Sequence, residues 1–152
     1  MEPVQKVTVR EIADGDVEKV RWLEEISFPD PWSAEGIRES MRQDYTRLFG
    51  AWHGEMLVGY AIIYFTIDEG ELVRIAVEPS FRRAGVASLL LGEFFRISRE
   101  AGKKRALLDV RESNEAAIKL YTKAGFETDG RRKNFYAKPE EAAVLMSREL
   151  GK

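Results

Sequence analysis

Cysteine is absent from this chain of 152 residues, which excludes disulfides, thiolate metal sites and a cysteine nucleophile and agrees with a cytoplasmic setting. Histidine occurs once, at His53, so chemistry that needs two imidazoles is excluded as well, and no metal site is expected. No apolar run approaches the ~20 residues of a membrane span. Met1 to Glu11 mixes charged and apolar positions without the apolar centre of a signal peptide. The phosphate loop G-x-x-x-x-G-K-S/T and the dinucleotide fingerprint G-x-G-x-x-G are both missing, which removes the usual support for ATP or dinucleotide binding. A formal net charge of -2 argues against non-specific attachment to a nucleic-acid backbone. Neither a nucleic acid nor a membrane is therefore an expected partner.

What is present describes one globular unit. Hydrophobic residues make up 44% and charged residues 33% of the chain, the balance of a single domain spanning residues 1–152 with one ordinary core. Val7 to Ile12 alternates apolar and polar side chains, the period of a half-buried strand. From Asp14 to Ile26 the positions Val17, Val20, Leu23 and Ile26 follow helical spacing, with Asp14 or Asp16 available as N-cap. Ser33 can cap a second short helix carrying Ile37 and Met41 on one face. Leu48 to His53 and Met56 to Ile67, rich in β-branched and aromatic residues and separated by Gly54-Glu55, give a hairpin signal. Glu71 to Val77 is apolar enough for the middle of the sheet.

The period then changes. From Gly85 to Ala101 the residues Val86, Leu89, Leu90, Phe94 and Ile97 recur at helical spacing. Ala106 to Val110 reads as a buried strand and Asn114 to Ala124 as a short helix ended by Gly125. Phe126 to Tyr136 and Ala143 to Met146 supply the last strands, with a polar, proline-containing loop at Lys138 to Glu141. Strands alternating with helices on a hairpin-rich chain imply an α/β (α+β) layer structure with a mixed sheet. Lys103-Lys104-Arg105 follows a helix C-terminus, where positive charge is favourable without a ligand, and His53 falls beside a turn as an ordinary surface residue.

One junction breaks the pattern. In Val77-Glu78-Pro79-Ser80-Phe81-Arg82-Arg83-Ala84-Gly85-Val86-Ala87-Ser88, two arginines stand where a long helix begins, although the unpaired N–H groups and positive dipole end there favour an anion. A bound phosphate resolves the conflict, because the dipole, the N–H groups and both guanidiniums then converge on it.

Arg82-x-x-Gly85-x-Ala87 resembles the Q/R-x-x-G-x-G/A loop with which enzymes of the GNAT superfamily hold the pyrophosphate of acetyl-CoA. Leu108-Asp109-Val110-Arg111-Glu112-Ser113-Asn114 through Ala117, Leu120-Tyr121 and Gly125-Phe126 resembles the L-x-V-R-x-S-N-x-x-A-x-x-L-Y-x-x-x-G-F stretch of RimI-like members. Phe28-Pro29-Asp30-Pro31-Trp32-Ser33 and Arg132-Lys133-Asn134-Phe135-Tyr136 are similar to two further segments of that group, so the likeness runs from about Val7 to Leu150. One departure is Asp109, where the pattern usually has glutamate.

The resemblance implies a central mixed, mostly antiparallel sheet of about seven strands flanked by about four helices. It also implies acetyl transfer from acetyl-CoA, without a metal, to the N-terminal α-amine of a protein, with a ribosomal protein as the acceptor in the type member. A lysine or a small-molecule amine is the alternative acceptor, and a CoA-binding module without turnover is the alternative from another class. By resemblance Ile75, Ala76 and Val77 hold the thioester and pantetheine, while Arg82, Arg83, Ala84, Gly85, Val86, Ala87 and Ser88 hold the pyrophosphate. Asn114 touches the cofactor's arm and Tyr121 gives a proton to the CoA sulfur. Candidate bases are Asp109 and Glu71, and Phe28, Trp32 and Tyr136 are candidates for lining the acceptor groove.

Overall fold

A computed structural model describes residues 7–151 of the chain, so residues 1–6 of the opening segment lie outside the described residues. The chain runs β1 (Val7–Glu11), α1 (Val17–Ser27), α2 (Ala34–Met41), β2 (Thr46–His53), β3 (Met56–Phe65), β4 (Glu69–Val77), α3 (Val86–Glu100), β5 (Arg105–Arg111), α4 (Glu115–Lys123), β6 (Glu127–Ala137) and β7 (Glu140–Glu149). The strands form one seven-stranded sheet in the order β1-β2-β3-β4-β5-β7-β6. Every neighbouring pair is antiparallel except β4 and β5. The expected α/β layer architecture, with seven strands and four helices, is the one found.

The sheet separates two apolar layers. Val17, Val20 and Leu23 of α1 and Ile37 of α2 pack with Trp52, Tyr60 and Ile62 on one face. Val86, Leu90 and Phe94 of α3 pack with Ile63, Leu108, Phe126 and Met146 on the other, joined by Tyr121 of α4. Each layer removes whole side chains from water, and at about 25 cal/mol per Å² this burial is the main force holding helices to sheet.

Several expectations shift in detail. The first helix is preceded by a 3-10 turn at Asp14–Asp16, and Asp16 occupies the N-cap position without a side-chain capping bond. Its carboxylate instead accepts from the Ala13 N–H at 2.9 Å, so the turn rather than the helix uses it. Ser33 does cap α2, accepting from the Gly36 N–H at 3.0 Å. The loop expected at Lys138 to Glu141 is a tight turn, because β6 and β7 pair as far as Ala137 with Glu140. His53 is half-buried and tilts against Phe81, with ring centroids 5.4 Å apart.

A bulge in β4 sets the direction of one charged side chain. Arg74 pairs with Ile62 but Leu72 pairs with Ile63, leaving Val73 as an extra residue. Leu72 belongs to the α3 layer, whereas Val73 packs against the α1 layer and Arg74 also reaches α1. Strict alternation would have sent Arg74 toward α3.

Candidate active site

The parallel pair opens into a cleft. β4 and β5 pair only from Glu69–Arg105 to Leu72–Leu108, although β4 continues to Val77 and β5 to Arg111. Beyond Leu72 the β5-facing edge of β4 therefore keeps its main-chain donors and acceptors free, ready to be met by an extended ligand as by a strand. Two connected cavities occupy the gap, one of about 730 Å³ beside α3 and one of about 230 Å³ between β4 and β5. Ser27, Phe28, Ile75, Asn114 and Tyr121 line both.

The larger cavity ends at the turn between β4 and α3. Glu78 accepts from the Ser80 N–H at 3.1 Å and fixes the 3-10 turn Pro79–Phe81. The Arg82 Nε donates to the Val77 carbonyl at 3.2 Å, drawing the exposed arginine back along the cavity. Arg83 (φ 67°) and Gly85 (φ 84°) are both left-handed, the first at a cost of about 1–2 kcal/mol for a residue with a Cβ. A Cβ built on Gly85 meets nothing within 4 Å, so glycine is required there by its backbone angle rather than by crowding.

Helix α3 has no side-chain N-cap and no acid in its first turn. Its first hydrogen bond runs from the Leu89 N–H to the Gly85 carbonyl at 3.0 Å, which leaves the N–H groups of Val86, Ala87 and Ser88 available to a ligand. Arg82, Arg83, Gly85, Ala87 and Ser88 line the cavity. The side chain of Val86 is in the core at 1% exposure, so Val86 can contribute only its main chain. These residues fit the pyrophosphate of a coenzyme.

Where the cavities meet stands Tyr121, only 6% exposed and edge-on to Phe126 at 5.9 Å between centroids. Burial, helped by the neighbouring Tyr136, pushes its phenol up to about 12, so it carries its proton at any physiological pH. Asn114 caps α4 by accepting from the Ala117 N–H at 3.1 Å through its side-chain carbonyl, and it lines both cavities.

Asp109 and Tyr136 line the smaller cavity. Burial raises the Asp109 carboxyl above its ordinary range, with Arg132 acting against the shift. Burial, then the charge of Asp109, pushes the Tyr136 phenol up to about 12, while Arg111 and Arg74 oppose. The Arg111 guanidinium lies 4.3 Å from the Tyr136 ring centre and donates to the carbonyls of Lys138 and Pro139, each at 2.9 Å. It thereby anchors the β6–β7 turn.

Glu71 and Trp32 are not among the residues that line the cleft. Burial raises the Glu71 carboxyl, and the charges of Asp109 and Glu69 raise it further, so Glu71 is close to the site electrostatically without facing it. The Trp32 main-chain N–H donates to Glu24 at 2.8 Å. Ala84 also lies off the cavity wall.

Behind the cleft lies a buried polar network that hydrophobic periodicity alone does not reveal. Glu24 on α1 is fully buried and accepts from Trp32, from the Tyr60 hydroxyl and from Arg74 through Nη2 at 2.9 Å. Arg74 stacks at 3.9 Å from the Phe28 ring centre and donates to the Asp30 carbonyl at 2.9 Å. Glu24 thus ties the segment after α1 to β4. The sequence does hold a signal: Glu24 falls four after Val20 and seven after Val17, an acid on the apolar stripe of a helix, and Arg74 interrupts an apolar strand.

A cavity walled by Arg82, Arg83 and the first turn of α3, opening along the unpaired edge of β4 to a buried phenol, suits a coenzyme that carries an acyl thioester. Residues 17–126 match the model of the acetyltransferase (GNAT) family. The chain is 33% identical over 142 residues to the [ribosomal protein bS18]-alanine N-acetyltransferase of Haemophilus influenzae, covering 91% of this chain and 96% of that relative. The crystal structure of the ribosomal-protein-S18-alanine N-acetyltransferase from Escherichia coli superposes with a TM-score of 0.88 at 26% identity, covering 96% of this chain and 95% of the other. Ard1 from Thermoplasma volcanium gives a TM-score of 0.89 at 26% identity, covering 97% and 99%. The chain belongs to the GNAT family and is an acetyl-CoA-dependent N-acetyltransferase with a RimI-like resemblance throughout. No helix among the described residues is long and apolar enough to cross a membrane.

Proposed function

We propose that this enzyme acetylates the α-amine of a protein N-terminus, and that the N-terminal alanine of a small-subunit ribosomal protein, the substrate in its relatives' names, is its acceptor. The observation that carries this reading is the weakness of the base at the acceptor end: the only carboxylate lining the smaller cavity besides exposed Asp30, among the described residues, is Asp109. A carboxylate is a poor base toward a lysine of pKa ~10.4, whereas an α-amine near ~7.7–8.0 is already roughly 10–20% neutral at pH 7. Acetyl-CoA supplies an activated acetyl group.

The residues divide the work along the cleft. Arg82, Arg83 and the first turn of α3 hold the pyrophosphate, and the free edge from Ile75 to Val77 holds the pantetheine and polarises the thioester carbonyl. Asn114 offers its amide to the coenzyme arm. Asp109, one methylene shorter than glutamate, removes a proton from the amine directly or through a water. Tyr121 gives its proton to the departing sulfur, a role for which a pKa of about 12 keeps it loaded. Glu71 lies off the cleft, and Asp109 rather than Glu71 is the base in this reading. Phe28 and Tyr136 flank the acceptor.

The test is incubation with acetyl-CoA and short peptides that differ in their first residue, beside lysine-only peptides and polyamines. Transfer confined to the α-amine, strongest for an initial alanine, is expected. Preferential acetylation of a lysine side chain or a polyamine would falsify the reading.

A further inference from the structure

Arg74 is spent on one side and free on the other. Its Nε and Nη2 serve the Glu24 carboxylate, and Nη2 also serves the Asp30 carbonyl. Nη1 makes no hydrogen bond among the described residues. The side chain keeps 15% of its surface exposed, Arg74 lines the smaller cavity, and its charge is felt by the Tyr136 phenol that lines the same cavity. A guanidinium with an unspent edge therefore stands at the acceptor end.

A lone cation there would repel an incoming ammonium. Glu24 cancels that charge from behind, at 2.9 Å and with no exposure of its own, and the exposed Asp30 carboxylate lies 3.7 Å from Nη2, so the cluster presents hydrogen-bond donors without a net positive field. What it can recognise is an oxygen acceptor rather than an anion. The β4 bulge aims Arg74 toward α1 and the cleft, and Arg74 directly precedes Ile75, where the edge assigned to the thioester begins. One residue along a strand is ~3.3 Å, close to the separation between the amine nitrogen and carbonyl oxygen of a single amino-acid residue.

Resting on the α-amine reading, we propose that the free Nη1 of Arg74 donates to the main-chain carbonyl of the acceptor's first residue. Arg74 is thereby a specificity determinant that selects amines carrying a carbonyl on the adjacent carbon, the chemistry of a peptide N-terminus, over alkyl amines and lysine side chains. A site built to satisfy such an acceptor discriminates strongly against an analogue that lacks it, because the donor is then left unpaired.

The experiment compares alaninamide with isopropylamine, in which the carboxamide is replaced by methyl, each rate being expressed per neutral amine to remove their different basicities. It uses the full chain, its Arg74→Lys variant, which keeps a charge for Glu24 but loses the fork, and a Glu24→Gln/Arg74→Gln double variant, which leaves no buried charge unpaired. Wild type is expected to favour alaninamide in kcat/KM, and both variants to lose about tenfold to a hundredfold of that preference, chiefly through KM for the amide. The KM for acetyl-CoA, read in parallel, reports an intact cofactor site. A preference that persists in either variant with that KM intact overturns the role of Arg74. Wild type with no preference between the two amines overturns the α-amine reading itself, before any variant is measured.

Discussion

The two ends of the cleft are built from different materials. The end we assign to the coenzyme is mostly main chain: the free edge of β4, the left-handed turn through Arg83 and Gly85, and the uncapped first turn of α3. Its components are contiguous in sequence and need few particular side chains. The end we assign to the acceptor is made of side chains brought together from β4, β5 and β6, Arg74, Asp109 and Tyr136, with Glu24 of α1 buried behind Arg74. A site for a common coenzyme can reuse one short segment, while a site for one amine depends on distant residues meeting.

Mutations should separate the two ends. The largest effect is expected where they join: Tyr121→Phe should lower kcat by about 10²- to 10⁴-fold while calorimetry finds CoA affinity nearly unchanged. Equal losses in turnover and CoA binding would place Tyr121 in coenzyme binding alone. At the acceptor end, Glu24→Ala strands a buried guanidinium and should cost about 3–5 kcal/mol of stability, measured by denaturant unfolding. Loss confined to activity, with unfolding unmoved, would contradict a network that holds α1 to β4.

At the coenzyme end, Arg82→Ala with Arg83→Ala should weaken CoA binding by about tenfold to a hundredfold and leave the order of preference among acceptor amines as it was. An unchanged affinity would empty the cradle of its purpose. The smallest effect concerns Asp109. Because burial raises its carboxyl, the folded state favours the protonated form, and the stability this group contributes is lost as pH rises from the ordinary Asp range through the raised value. Asp109→Asn should therefore raise Tm at neutral pH by about 2 °C or less, after allowing for solvent screening. As a base Asp109 works only when deprotonated, so kcat/KM in wild type should climb through that same raised value and the variant should lack this limb. A variant with the wild-type pH profile would assign the proton transfer elsewhere.

The same contrast explains how much could be read from the sequence. Arg82 to Ser88 was legible because a turn, two cations and a helix start sit side by side, and their conflict with the dipole is a local matter. Tyr121 and Asn114 stand out in the sequence as part of a long matching segment, and both line the cleft. The fold followed from periodicity at most positions, since Val17, Val20, Leu23, Ile37, Val86, Leu90 and Phe94 enter the layers their stripes point to, but Ile26 and Leu89 on the same stripes are exposed, and β3 stops at Phe65 and leaves Ile67 in solvent. The Glu24–Arg74 pair escaped because a β-bulge decides which way Arg74 points, and strand periodicity cannot locate an extra residue. Glu71 and Trp32 are near the cleft in sequence without lining it, because sequence shows proximity and not side-chain direction. The tight β6–β7 turn was hidden by Lys138-Pro139, whose polar character suggested a longer loop.

The separation of β4 from β5 has a mechanical consequence. The sheet is two panels, one of four strands and one of three, joined by pairing only between Glu69–Leu72 and Arg105–Leu108. A coenzyme lying along the unpaired stretch would fasten the panels together, like a key closing a split ring. Loading should slow amide hydrogen exchange on both sides of the seam, including in strands the ligand never touches.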